Sequence, residues 1–171
     1  MTVFNLRTVR LRSGERYRDV VSVALEPLEL GGQRFLPIPE NPEASFAISQ
    51  VSSGTLFELS LEVRLHGRCF RCLEDAALDV RIDAKEYQAT SPGEAEELTC
   101  PYVVDDRLDL SAWARDAVAL ALPEKILCKS DCAGLCAGCG ANLNGEPCAC
   151  GPEEPDVRWS KLAELRDRLT S

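Results

Sequence analysis

The side chains with the clearest chemical potential are thiols. Cys69 and Cys72, Cys128 and Cys132, Cys136 and Cys139, and Cys148 and Cys150 form four close pairs, and Cys100 stands alone. Six of the nine crowd into residues 128–150, CKSDCAGLCAGCGANLNGEPCAC. Two thiolates separated by two residues on a tight turn can bind one tetrahedral ion, at about 2.3 Å per bond to zinc. A glycine after the second cysteine, as in CAGCG, permits the positive φ that turns backbone N–H groups toward the sulfurs and disperses their charge. Asn144-Gly145 is a strong turn dipeptide that returns Cys148 and Cys150 toward Cys136 and Cys139. These four make a compact all-thiolate site. Cys69, Cys72, Cys128 and Cys132 are expected to form a second site that staples two distant parts of the chain together. An interleaved arrangement, with Cys128 or Cys132 in the first site, is the alternative. With four cysteines per ion no position is open to water, so one or two Zn2+ would be structural.

Two other thiol chemistries compete. A disulfide between Cys148 and Cys150 would close a very small, strained ring. Redox C-x-x-C motifs normally sit at a helix N-terminus that lowers a thiol pKa. CFRC falls between two strands, and CAGCG is followed by a turn. A thiol oxidoreductase using Cys69 and Cys72 is nevertheless an alternative reading. The N-terminal stretch MTVFNLRTVRLRSGERYR has scattered arginines and no apolar run, so a cytoplasmic, reducing location is expected; there, clustered cysteines favour metal over disulfides.

No other constellation suggests catalysis, and none is expected. His66 is the sole histidine and is expected at a wet surface. Asp105 and Asp106 are adjacent and point apart rather than share a proton. Trp113 and Trp159 read as packing residues. GERYRD and LGGQRF do not match a phosphate-binding loop.

The elements that position the thiols follow from periodicity. Phe57, Leu59, Leu61, Val63 and Leu65 alternate with polar residues, as do Leu78, Val80, Ile82 and Ala84, which predicts two half-buried strands. They form an antiparallel hairpin with Cys69 and Cys72 at its tip. VVSVAL and ASFAISQV also read as strands. LGGQRFLPIPENPE reads as loop or edge strand, because prolines do not serve a central ladder. Residues 90–102, with Pro92, Gly93 and an acidic run, read as a loop. Leu110, Trp113, Ala114, Ala117, Val118 and Ala121 form one helical stripe, with Asp109 or Ser111 as N-cap and Pro123 as terminator. A last short helix is expected after Asp156, with Leu162, Leu165 and Leu169 on one face and Arg166 and Arg168 in its last turn.

The expected fold is therefore α+β: a bent antiparallel sheet or open barrel, then a helix, a cysteine-rich metal module and a short C-terminal helix. Its parts are a β-rich region 1–90, an acidic loop and a sheet-packed helix over 91–127, and the zinc module with its helix over 128–171. The longest apolar run, Ala117–Leu122, falls far short of a membrane span. Net charge is −9 at pH 7, yet residues 1–18 hold five arginines against one glutamate, and 93–124 hold eight acids against two arginines. A chain of this balance lacks the broad basic face of a nonspecific nucleic-acid binder.

CFRCLED, the stretch DLSAWARDAVALALPEKILCKSDCAGLCAGCGANLNGEPCAC and DVRWSKLAEL together resemble the large ribosomal RNA subunit accumulation protein (YceD-like) family. The likeness covers roughly residues 55–165, and the cysteine segment is its specific part. It implies a non-enzymatic role in 23S rRNA accumulation or processing and in large-subunit biogenesis. The partners would be 23S rRNA or pre-50S components, met directly or through a ribosomal protein. Some members lack the C-terminal cysteines, so zinc would be a scaffold in the cysteine-rich branch. Direct RNA contact is expected at Arg7–Arg18, or at Arg68, Arg71, Lys125, Lys129 and Arg158. The alternative is a zinc-stabilised adaptor that binds a basic protein through its acidic stretch without touching RNA.

Overall fold

The computed structural model describes residues 1–90, 98–145 and 148–151. Alternation dictates its centre. Gly54–Arg68 (β6) and Asp75–Ala89 (β7) pair antiparallel along their full fifteen residues, from Gly54 opposite Ala89 to Arg68 opposite Asp75. Phe57, Leu59, Leu61, Val63 and Leu65 are all at most 3% exposed and face Val80 and Ile82 in one core. The other face carries matched charges: Arg64 donates twice to Asp79, at 2.6 and 2.8 Å, and Arg81 and Lys85 approach Glu62 and Glu58 at 3.5 Å. Exposed pairs of this kind add little stability, but their signs agree with the register that the buried face imposes.

Strand β6 is long enough to serve two neighbours on its other side. Glu43–Val51 (β5) pairs with its first half and Gln33–Ile38 (β4) with its second. Arg16–Ser22 (β2) flanks β5, and Leu28–Leu30 (β3) flanks β4. All these pairings are antiparallel, and among the described residues β7 pairs only with β6, so the sheet stays open rather than closing into a barrel.

Two strand expectations need correction. The proline-rich LGGQRFLPIPENPE holds strand β4, which lies between β3 and β6. Its ladders do not overlap: residues 33–35 face β3 and residues 36–38 face β6. Pro37 is thus paired on one side only, where a missing N–H is tolerated. In VVSVAL the strand stops at Ser22. Val23 and Leu25 turn into the core, at 0% and 4% exposure, and their N–H groups donate to the carbonyls of Pro42 and Glu40.

A second, small sheet escaped the periodicity. Val3–Asn5 (β1), Val103–Val104 (β8) and Arg107–Asp109 (β9) are two or three residues long, in the order β1-β9-β8. Asp105 and Asp106 form the β8–β9 turn with positive φ at both positions, 51° and 60°. The helix Leu110–Ala121 (α1) starts on Asp109, whose carboxylate accepts the Ala112 N–H at 3.0 Å, and it stops before Pro123. Its buried stripe is Leu110, Trp113, Ala114 and Val118, and it lies against β7. Trp113 stacks on Tyr102, with ring centroids 6.0 Å apart.

Among the described residues the architecture is mostly antiparallel β with one α-helix, and two strands follow the acidic segment. The expected α+β class holds in that coarser form. The predicted C-terminal helix, with Arg158 and Trp159, and most of the acidic loop lie outside the described residues. No described helix is long and apolar enough to cross a membrane.

Candidate metal centre

The hairpin tip is built by its own backbone. The Leu73 N–H donates to the Cys69 carbonyl at 3.0 Å, closing a knuckle around Cys69 and Cys72. The same bond recurs in CAGCG, where the Gly140 N–H donates to the Cys136 carbonyl at 2.9 Å. Both closing residues have positive φ, 62° at Leu73 and 74° at Gly140. Glycine adopts that backbone freely, whereas leucine pays strain, so the first knuckle holds its shape against a local preference.

Downstream of α1, the Phe70 N–H bonds to the Ile126 carbonyl at 2.8 Å, and Arg71 donates to the Cys132 carbonyl at 2.8 Å. These bonds bring residues 126–132 against the hairpin tip. Four thiols converge there: Cys69, Cys72, Cys128 and Cys132 have sulfurs all within 4.8 Å of one another. Cys69 lies 3.7 Å from Cys132, and Cys72 lies 3.5 Å from Cys128. A second group, Cys136, Cys139, Cys148 and Cys150, meets the same limit, with Cys136 and Cys148 3.4 Å apart. The grouping is by fours without interleaving. Cys100 is buried outside both clusters, and all nine cysteines are free thiols. His66 joins neither group.

The spacing suits a metal. Bonds of about 2.3 Å directed to the corners of a tetrahedron place sulfurs about 3.8 Å apart, close to the separations observed. Among the described residues sulfur is the only donor type in either cluster, which favours a soft or borderline cation. Each cluster can therefore hold a metal ion through four thiolates. They differ in setting. Cys69, Cys72 and Cys132 are buried, whereas Cys139 and Cys150 are exposed.

Electrostatics shows what a cation would do here. Burial pushes the Cys69 thiol up, but N–H groups of Cys72, Cys128 and Arg71 outweigh it and bring the thiol down to about 6. Backbone N–H groups, first that of Cys139, bring Cys136 down to about 6 as well. Their neighbours move the other way. Burial and then the adjacent thiols push Cys128 up to about 12, and bonds to Cys139 and Cys136 push Cys150 up to about 11. Without a cation, each cluster carries some thiolates that keep the rest protonated. A divalent ion would remove that conflict and let all four ionise.

The two groups meet through the loop between them. Leu135 bridges to Asn142, Cys136 N–H donates to the Ala141 carbonyl at 2.8 Å, and Leu143 N–H donates to the Gly134 carbonyl at 2.9 Å. The Asn144 side chain accepts from Ala133 N–H at 2.9 Å and donates to Cys132 Sγ at 3.3 Å. From sequence Asn144 reads only as a turn residue. No local pattern in the sequence points to this contact.

The basic residues beside the knuckle are partly engaged. Arg68 donates to the Leu73 carbonyl at 3.2 Å, Arg71 holds Cys132 as above, and Lys125 sits 5.1 Å over the Phe70 ring. Lys129 is exposed. In the N-terminal run Arg7 pairs with Asp106 at 2.8 Å and Arg16 pairs with Glu58, while Arg10, Arg12 and Arg18 are exposed.

Comparison with known proteins supplies the context. A Mycobacterium bovis protein described as uncharacterized is 35% identical over 122 residues, 69% of this chain and 58% of its own length. A Mycobacterium leprae protein, also described as uncharacterized, is 32% identical over 123 residues, 69% of this chain and 56% of its own length. The match thus spans less than two thirds of these relatives. The Arabidopsis thaliana chloroplastic large ribosomal RNA subunit accumulation protein YCED homolog 1 is 42% identical over 62 residues, 36% of this chain and 19% of its own. No solved structure matches. The family described as large ribosomal RNA subunit accumulation protein YceD matches residues 57–166, from the core of β6 through both thiol clusters, and the chain belongs to that family.

Proposed function

We propose that this protein is a non-enzymatic factor in 23S rRNA accumulation and large ribosomal subunit biogenesis, acting in the cytoplasm with two structural Zn2+. The family match over residues 57–166 carries this reading. Zinc is assigned from the donor set: four sulfurs at tetrahedral spacing and, among the described residues, no competing oxygen or imidazole ligand in either cluster. A closed shell of four thiolates has no position for substrate or water, which supports a scaffold role. The thiol oxidoreductase reading fares poorly, because Cys69 and Cys72 are 0% and 3% exposed and stand at a hairpin tip rather than a helix N-terminus. Depleting the protein should lower 23S rRNA and large subunits in gradient profiles; unchanged levels would refute the role. Elemental analysis of reduced protein should find two zinc ions per chain.

The acidic balance favours a protein as the direct partner. Net charge is −9, and Arg68 and Arg71 already serve the carbonyls of Leu73 and Cys132. In this form the chain recruits a basic ribosomal protein, and RNA follows. Association that survives nuclease but yields to salt supports that route. Association lost entirely on nuclease treatment assigns the contact to RNA.

A further inference from the structure

The two thiol clusters share one polar side chain. Asn144 lies between Cys139 and Cys148 in the chain, so its position is tied to the closure of the second cluster. Its amide nevertheless reaches the first cluster: Nδ2–H points at Cys132 Sγ at 3.3 Å, while Oδ1 accepts Ala133 N–H at 2.9 Å. The amide is itself aimed from behind, because Asn142 Oδ1 accepts from both Asn144 Nδ2, at 2.9 Å, and Asn144 N–H, at 3.0 Å. Asn142 in turn is held by its bridge to Leu135, on the strand-like segment leading into Cys136. One chain of contacts therefore runs from the ligands of the second cluster, through Asn142 and Asn144, to a ligand sulfur of the first.

Resting on the reading of both clusters as metal sites, we propose that Asn144 is a positioning residue that couples them, so that an ion in either centre strengthens binding in the other. The physical basis is the N–H···S bond. Cys132 carries part of a dianionic tetrathiolate when an ion is bound, and an amide donor that disperses its charge favours the loaded state. That donor is in place only when residues 139–145 are folded, which closure of the second centre enforces. Coupling of this kind is reciprocal, so the factor by which the second centre strengthens the first is the factor by which the first strengthens the second. Donors to ligand atoms typically change metal affinity by about 10- to 100-fold, which sets the size of the effect.

The test uses the full reduced chain and Co2+ in competition with a chelator. The affinity of the first centre is compared between the intact chain and a chain with Cys136, Cys139, Cys148 and Cys150 changed to serine. In the wild type, filling the second centre should raise it about tenfold or more. Asn144→Asp keeps an acceptor for Ala133 N–H and removes the donor to sulfur; with it, the ratio should fall to about one, because zero coupling free energy is a factor of one. NMR of the chain loaded with the spin-active cadmium isotope supplies a second readout. Asn144→Asp should move the resonance of the first centre and leave that of the second in place. A wild-type ratio near one, an unchanged ratio in Asn144→Asp, or an unmoved first resonance would overturn the coupling while two bound ions left the metal reading intact. A wild type that takes up no ion overturns both.

Discussion

Replacing Cys72 by serine isolates what the first centre contributes to the fold. Cys72 and Cys128 are 56 residues apart, so an ion joining them closes a long loop that holds β7 and α1. A permanent cross-link over that separation would restrict the unfolded chain by about 4 kcal/mol. A reversible ion reaches about 2.7 kcal/mol when it is free at a hundred times its Kd. Losing about 3–4 kcal/mol from a chain of this length lowers Tm by roughly 6–16 °C. Burying a hydroxyl in place of a thiol also destabilises, and Cys100→Ser controls for it, since Cys100 is 1% exposed and stands outside both clusters. Calorimetry of reduced wild type, Cys72→Ser and Cys100→Ser is run with and without chelator. Chelation should lower the Tm of wild type and of Cys100→Ser by the same large step. In Cys72→Ser the step should be clearly smaller, because only the second centre remains to be stripped. Equal steps in all three proteins would refute the argument that an ion at Cys72 ties the C-terminal segment to the hairpin.

Four further outcomes follow from particular contacts. Trp113→Ala removes a side chain that is 2% exposed and stacked on Tyr102, and should cost about 3–5 kcal/mol in urea unfolding. Leu73→Gly should leave stability unchanged or raise it slightly, because relief of about 1–2 kcal/mol of left-handed strain outweighs about 0.5–1 kcal/mol of added chain entropy. Gly140→Ala, where a Cβ meets open space but φ is +74°, should cost the full strain in the same assay. Tyr102 is pushed up to about 12 by burial first and by Asp116 second. The folded state then keeps its proton longer than the unfolded state, so its contribution is complete below about 10 and is lost as pH rises toward 12. In Asp116→Asn an ultraviolet titration should place its midpoint lower, yet still above that of a free tyrosine, since burial remains.

Long patterns were legible and short ones were not. The alternation in β6 and β7 extends far enough for the buried face to impose one register, and the C-x-x-C spacing places Cys69/Cys72 and Cys136/Cys139 each on a knuckle. The grouping of the eight thiols depended on bonds such as Phe70 to Ile126, which no local pattern encodes. Strands β1, β8 and β9 are too short for period two to emerge, and they exist because they pair with one another. Pro37 argues against a central strand by rule, yet β4 is paired first on one side and then on the other. Leu73 adopts a backbone that its residue type disfavours, and Asn144 does more than turn the chain. In these cases tertiary context overrode local preference.

The long separation of the first centre's ligands has a consequence during synthesis. Strands β2 to β7 all lie within the first 89 residues, so the main sheet can assemble while the rest of the chain is still being made. At about 5–20 residues per second, translating the 56 residues from Cys72 to Cys128 takes roughly 3–11 s. Through that interval the newborn hairpin presents two sulfurs that have no second pair to complete their tetrahedron. On the proposed metal reading, ion capture at this centre is therefore a late act of maturation, and oxidants would reach these thiols most readily in the nascent chain.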